Sequence, residues 1–332
     1  MKPTLLLSSF VAMATLLLNF ATPSRVGSGF SKLPTSTIEL GKALFHEPML
    51  SRKMTISCAS CHKPDFAFSD TSQFSIGVNG KPTGRNTPTV TYSARRQHYF
   101  WDGRAATLEH QATGPITHPE EMNLTVTEAI GRLRQHAYYT VAFQKVFNRA
   151  PDSLGLTKAL ADFQRSLSDY DSPYDRYLKG DQSAMSASAV RGFYLFYQEN
   201  TCAQPACHIG PDFSGDSLVF VGVHDGNDMG RYGITGRPED RQKFKTPILR
   251  NVGVTGPYMH DGSMKTLREV IVFYNQRENF LGNPRTHANV RHQRAQTMTD
   301  QDVDDLVSFM NALTDYRYQK RNVAMDTTPR RH

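Results

Sequence analysis

The sequence predicts a mainly α-helical protein made of two similar domains, and three observations carry that expectation. All four cysteines fall in two clusters, Cys58-Ala59-Ser60-Cys61-His62 and Cys202-Ala203-Gln204-Pro205-Ala206-Cys207-His208, each closed by a histidine. A set of short motifs recurs after each cluster with equal spacing among its members. Apolar residues repeat at helical spacing, and strand signals are few.

The chain has 332 residues, enough for one large or two modest domains. Its 39% hydrophobic content excludes a mainly disordered chain, and four cysteines exclude a disulfide-dense scaffold. Lys2, the apolar stretch from Thr4 to Ala21, and Thr22-Pro23-Ser24 read as a secretory signal peptide over 1–24, with Ala21 or Ser24 as its last residue. An uncleaved anchor is the alternative. Either way the body is exported, to a periplasm. No later apolar run approaches the ~20 residues that cross a bilayer. The expected division is an N-terminal domain over 31–175, a C-terminal domain over 176–325 joined to it near Ser172–Ser186, and a tail over 326–332.

C-x-x-C-H attaches c-type haem: the thiols add to the porphyrin vinyl groups, and the adjacent imidazole reaches the iron. Cys58, Cys61 and His62 match that spacing. Cys202, Cys207 and His208 match it with four residues between the cysteines instead of two. Zinc and local disulfides are the alternatives. Zinc needs four ligands together but no histidine directly after each pair, and export does not favour free thiols.

Gly41-x-x-Leu44-Phe45 precedes the first cluster and Gly192-x-x-Leu195-Phe196 the second. Thr87-Pro88 lies fifteen residues before Asp102-Gly103 and twenty before Thr107-Leu108; Thr246-Pro247 stands at the same offsets from Asp261-Gly262 and Thr266-Leu267. Equal offsets imply an internal duplication: two cytochrome c-like helical domains, each with one covalently bound haem c. Helical stripes run through Leu156, Leu160, Phe163 and Leu167, through Leu267, Val270, Ile271 and Tyr274, and through Val303, Leu306, Val307, Met310 and Leu313, with Thr299 as N-cap of the last. Thr125-x-x-Glu128 is a capping box that opens Val126–His136. The stretches 77–90 and 210–262, rich in Gly and Pro, are loops that wrap the haems. Tyr274 stands eight residues after Thr266, and Pro115 eight after Thr107. If the copies superpose, the two residues occupy equivalent places near the irons. Tyr can ligate iron and Pro cannot, so one haem would be closed and the other open. Without superposition, Tyr274 reads as a core residue and Pro115 as a helix-ending proline.

The chain resembles the bacterial di-haem cytochrome c peroxidases and MauG from about Ile38 to Asp315. The motifs that carry the resemblance are Glu39-Leu40-Gly41-x-x-Leu44-Phe45, the first Cys-His cluster, Arg85-Asn86-Thr87-Pro88-Thr89 and Phe100-Trp101-Asp102-Gly103-Arg104-Ala105. Gly114-Pro115, Glu121-Met122, Thr246-Pro247-x-Leu249-Arg250-Asn251 and Pro257-Tyr258-Met259-His260-Asp261-Gly262 complete the set. The resemblance implies a peroxidatic haem at His62 and an electron-transfer haem at His208. It makes Trp101, the sole tryptophan, the ring between them, Glu121 the distal acid, and Gln111 and Pro115 the remaining distal positions. It also implies calcium at Asn86 with main-chain oxygens near Thr255 and Pro257. Read from the residues alone, Trp101 is a core aromatic, Glu121 a solvated charge and Asn86 a turn residue.

Two departures point to the MauG-like branch. The distal histidine of other members, in Ile-Gly-His, is replaced in Ile76-Gly77-Val78, so the closed resting haem that needs reductive activation should be absent. The offset puts Tyr274, and not Met, at the second haem. A third departs from MauG itself: its surface Trp before the second haem motif is Asn200 here, which leaves Tyr197 or another aromatic to substitute. The expected function is a periplasmic peroxidase that reduces hydrogen peroxide with electrons from a small cytochrome or cupredoxin. The alternatives are a MauG-like enzyme that oxidises residues of a partner protein through a bis-ferryl state, and a non-catalytic electron-transfer cytochrome. A homodimer is a family tendency. The net charge of +7 includes Lys2, and four haem propionates offset more of it. Nucleic acid therefore drops out as a partner, and a mildly basic face for an acidic redox partner remains.

Overall fold

The computed structural model describes residues 32–198, 203, 207–223, 227–276 and 298–319. The signal segment 1–24, Asn200, Cys202 and the tail 326–332 lie outside the described residues. The architecture is helical, with one two-stranded antiparallel ladder: β1 (Leu218–Val219) pairs with β2 (Phe244–Lys245) in the register Leu218↔Lys245. Among the described residues no helix is long and apolar enough to cross a membrane.

The first core forms where α1 (Thr37–Phe45) crosses α6 (Ser153–Arg165). Leu40, Leu44, Leu156 and Leu160 bury there, and the apolar area they withdraw from water drives the contact. Gly41 lets the backbones touch: a Cβ at this position would lie 1.9 Å from the Ala159 carbonyl oxygen and 2.8 Å from Phe163 Cβ. The second core repeats that solution. There α8 (Ala187–Tyr197) crosses α11 (Asp300–Ala312), and a Cβ on Gly192 would lie 1.9 Å from the Asp305 carbonyl oxygen and 2.9 Å from Phe309 Cβ. Between the cores, α2 (Cys58–Cys61) carries the first cluster, and α3 (Leu108–Thr117), α4 (Val126–Gln135) and α5 (Ala137–Phe147) complete the first half.

The capping box predicted at Thr125 and Glu128 is formed and opens α4 at Val126, with His136 as its C-cap. Thr299 caps α11 as expected. The predicted joining segment contains a helix, α7 (Pro173–Leu178), opened by a Ser172–Asp175 capping box. Tyr174 of α7 packs into the second core. In that core the Arg250 guanidinium, 2% exposed, donates to Asp175 at 2.7 Å, with the Tyr92, Tyr170, Tyr174 and Phe213 rings around it. A buried charge needs this kind of closure.

Residues 159 positions apart fold alike. Thr107 caps α3 by accepting from His110 N–H, and Thr266 caps α10 (Leu267–Asn275) by accepting from Glu269 N–H. Tyr99 N–H donates to Ala105 O at 2.8 Å, and Tyr258 N–H to Met264 O at 2.7 Å. Inside those turns Gly103 and Gly262 take φ of 68° and 62°, a left-handed conformation that favours glycine.

Gly192→Ala should therefore destabilise the protein by roughly 1–3 kcal/mol, because backbone cannot move aside as a flexible side chain can. Gly131 in α4 has nothing within 4 Å of its added Cβ. Gly131→Ala should be neutral or stabilising by about 0.5–1 kcal/mol. Thermal melts of the two variants check both signs.

Candidate active site

The two Cys-His clusters open onto one cavity of 1020 Å³. It is lined by Cys61 and His62 from one half and by Cys207 and His208 from the other. Each imidazole is fixed in the same way. His62 Nδ1–H donates to Phe68 O at 3.0 Å, and His208 Nδ1–H to Phe213 O at 2.9 Å. A carbonyl accepts only from N–H, so Nδ1 carries the proton and Nε2 keeps its lone pair for a metal. The Pro88 carbonyl also faces His62, and the Pro247 carbonyl faces His208. The repeated Thr-Pro motif thus stands over each imidazole. Burial lowers both histidine pKa values, that of His208 to about 4, which keeps the rings neutral as iron ligands must be.

Cys58, Cys61 and Cys207 form no disulfide. Burial and the neighbouring Cys61 push the Cys58 thiol up to about 12. That thiol is protonated at neutral pH, and no group of three His, Cys, Asp or Glu among the described residues could hold a metal ion. A thioether, which needs no ionised sulfur once made, suits the place better. The large, mainly apolar cavity and the two pinned imidazoles fit two haems. Cys58, Cys61 and His62 would hold one, and Cys207 and His208 the other.

Beside His62, a smaller space of 50 Å³ brings Cys58, His62, Gln111, Pro115 and Glu121 together. Pro115 is the eighth residue of α3 and carries no donor or ligand atom toward the cavity it lines. Tyr274 is the eighth residue of α10 and lines the same cavity in the other half. The equivalence expected from spacing therefore holds for helix register. Glu121 is half-buried. Burial raises its pKa, while His118, whose Nδ1 is 3.8 Å away, and Arg104 partly offset the rise. Residues 76–82 fold back in a hairpin against this acid: Val78 N–H donates to Glu121 O at 2.8 Å, and a Cβ on Gly77 would meet Glu120 O at 1.8 Å. Val78 itself is buried.

Trp101 stands where the halves meet. Its Nε1–H donates to Asn86 O at 2.8 Å, and its ring lies 6.5 Å from that of His260. Two main-chain bonds exchange across this junction: Asn86 N–H donates to His260 O at 2.8 Å, and Lys245 N–H to Trp101 O at 2.7 Å. The Asn86 amide donates to Ser72 O and Gln73 O, which leaves Oδ1 as an acceptor. Asn86, Thr255 and Pro257 share the cavity wall.

Sequence reasoning missed the polar rim. Arg85 donates to Asp102 at 2.6 Å and to Asp228 in a fork, while Arg104 also reaches Asp102 at 2.7 Å. It also missed Lys245, whose signal was the 159-residue register with Asn86.

The pattern of the di-haem cytochrome c peroxidases matches residues 35–183. MauG of Methylorubrum extorquens is 38% identical over 286 residues, covering 85% of this chain and 79% of that protein. The chain belongs to the di-haem cytochrome c peroxidase/MauG family. The Escherichia coli K12 cytochrome c peroxidase Ccp is 36% identical over 85% of this chain and 59% of its own length. A solved MauG-like protein associated with microbial copper homeostasis superposes with a TM-score of 0.74 at 30% identity, covering 90% of this chain and 98% of that one. The protein is a di-haem peroxidase-type oxidoreductase, and its family implies haem c.

A reaction that uses the Glu121 carboxylate as base should weaken as pH falls through a midpoint above the ordinary glutamate value, because protonation removes the base. A pH–rate profile measured with peroxide checks this. A profile flat down to pH 4.5, roughly the value of an unperturbed glutamate, contradicts it.

Proposed function

We propose that the protein reduces hydrogen peroxide at the His62 site and draws electrons through the His208 site. The observation that carries this reading is the grouping of His62, Gln111, Pro115 and Glu121 around one small space beside Cys58. A haem c held by Cys58, Cys61 and His62 would supply the redox-active iron at which peroxide reacts. Pro115 and Val78 bring no side-chain atom that could ligate it. Glu121 takes the proton from the near peroxide oxygen and gives one to the far oxygen, which leaves as water. Gln111, on α3 beside it, orients the peroxide. The balance is two electrons and two protons per peroxide, giving two waters.

Cys202, Cys207, His208 and Tyr274 would hold the second haem, with Trp101 between the two sites. Support comes from the matched positions of Pro115 and Tyr274 on matched helices, which also favour an internal duplication. Calcium suits Asn86 Oδ1 with main-chain oxygens at Thr255 and Pro257, since hard cations prefer oxygen. The electron donor is a small redox protein, and the chain works in the periplasm.

A second reading, oxidation of a partner protein's residues, is favoured by Tyr197. It is 40% exposed on α8 and packs on Phe193 and Phe196 at 5.4 and 5.3 Å.

Glu121→Gln should keep both haems and slow the peroxide reaction by about 100-fold or more. Stopped-flow mixing of the ferric protein with peroxide measures it, and an unchanged rate removes Glu121 from the mechanism. Tyr274→Phe should open the second haem. An unaltered low-spin absorption and electron paramagnetic resonance signal would refute that ligation.

A further inference from the structure

Lys245 is a cation in the shared cavity that joins no ion pair among the described residues. Its strand, β2, runs directly into Thr246-Pro247, and the Pro247 carbonyl faces His208. The residue lines the cavity. The charged groups that act on it are Asp216, which favours its charge, and Arg96, which opposes it. Arg96 pairs with Asp212 at 2.9 Å. Asp216 Oδ2 accepts from the N–H groups of Gln97 and His98, and its buried Oδ1 has no hydrogen-bond partner. Among the described residues no ion pair joins Lys245 to either carboxylate. An ammonium withdrawn from water is costly unless an anion meets it. Burial pulls Lys245 down to about 8, with Asp216 partly opposing the fall.

The matched position gives the second observation. Lys245 stands 159 residues after Asn86, and the two residues make the exchanged main-chain bonds that join the halves. Asn86 presents an amide oxygen, which suits a cation. Lys245 presents a cation, which suits an anion. The carboxylates of a haem, its two propionates, are the anions that the proposed occupant of the cavity would bring.

We propose that Lys245 is the built-in counter-ion of the propionates of the haem on the His208 side, and that its charge raises the reduction potential of that haem. A fixed positive charge favours the reduced iron, which carries one positive charge fewer, and low polarity around it strengthens the effect. Lys245 is thereby a positioning and tuning residue. The assignment rests on the reading that the cavity holds two haems.

The test uses the mature holoprotein. Haem content by intact mass comes first, and a wild-type chain with fewer than two haems would overturn the reading beneath the assignment. Spectroelectrochemical titration at one pH then compares variants. Lys245→Met should keep two haems and lower the midpoint of the low-spin His208 haem, while Lys245→Arg should stay near wild type. Asp216→Asn removes the nearby negative charge and should move the same midpoint upward, which keeps the test decisive if Lys245→Met loses haem. Midpoints equal to wild type in Lys245→Met, or in Asp216→Asn where Lys245→Met does not hold two haems, would overturn the assignment.

Discussion

The way the two halves meet depends on two exchanged main-chain hydrogen bonds. Asn86 N–H to His260 O and Lys245 N–H to Trp101 O tie the halves beside the cavity that they share. Backbone groups buried at such a junction must find partners, so the exchange fixes how the halves meet as well as whether they meet. Trp101 is held on both sides by that exchange, through its carbonyl and through its indole N–H to Asn86 O. One cavity served by two histidines follows from it. Tyr92 of the first half and Asn251 of the second, again 159 residues apart, converge on the buried Asp315 and reinforce the same join.

Within that frame the halves solve the same problem with the same parts and then diverge at single side chains. Each has a glycine at its helix crossing, a threonine cap, a Thr-Pro carbonyl over its imidazole and a glycine in the left-handed region of its turn. The divergence is Pro115 against Tyr274 and Asn86 against Lys245. Each exchange changes the side-chain chemistry offered to the cavity while the surrounding caps and main-chain bonds are kept.

The elements with strong local signals were legible in the sequence. The Thr125 and Thr299 caps follow from local chemistry, and each forms where it was expected. The matched registers were legible because equal offsets in the sequence fall at equal positions on matched helices. The helix at Pro173–Leu178 was hidden inside a polar segment. Its stability comes from Tyr174 packing and from the Asp175–Arg250 pair, 75 residues distant, which no local pattern announces. The Arg85–Asp102–Asp228 rim was hidden for the same reason. From the residues alone Glu121 reads as a solvated charge, and the hairpin over Gly77 and Val78 that packs against it is not legible there, because burial is a property of the fold and not of the residue.

The central claim is that one site is open for peroxide and the other is closed for electron transfer. The optical and electron paramagnetic resonance spectra of the ferric protein, taken before and after one equivalent of hydrogen peroxide, test it most directly. The account predicts one high-spin and one low-spin haem at rest, and a rapid change in both on mixing without prior reduction. Two low-spin six-coordinate haems that ignore peroxide would contradict it.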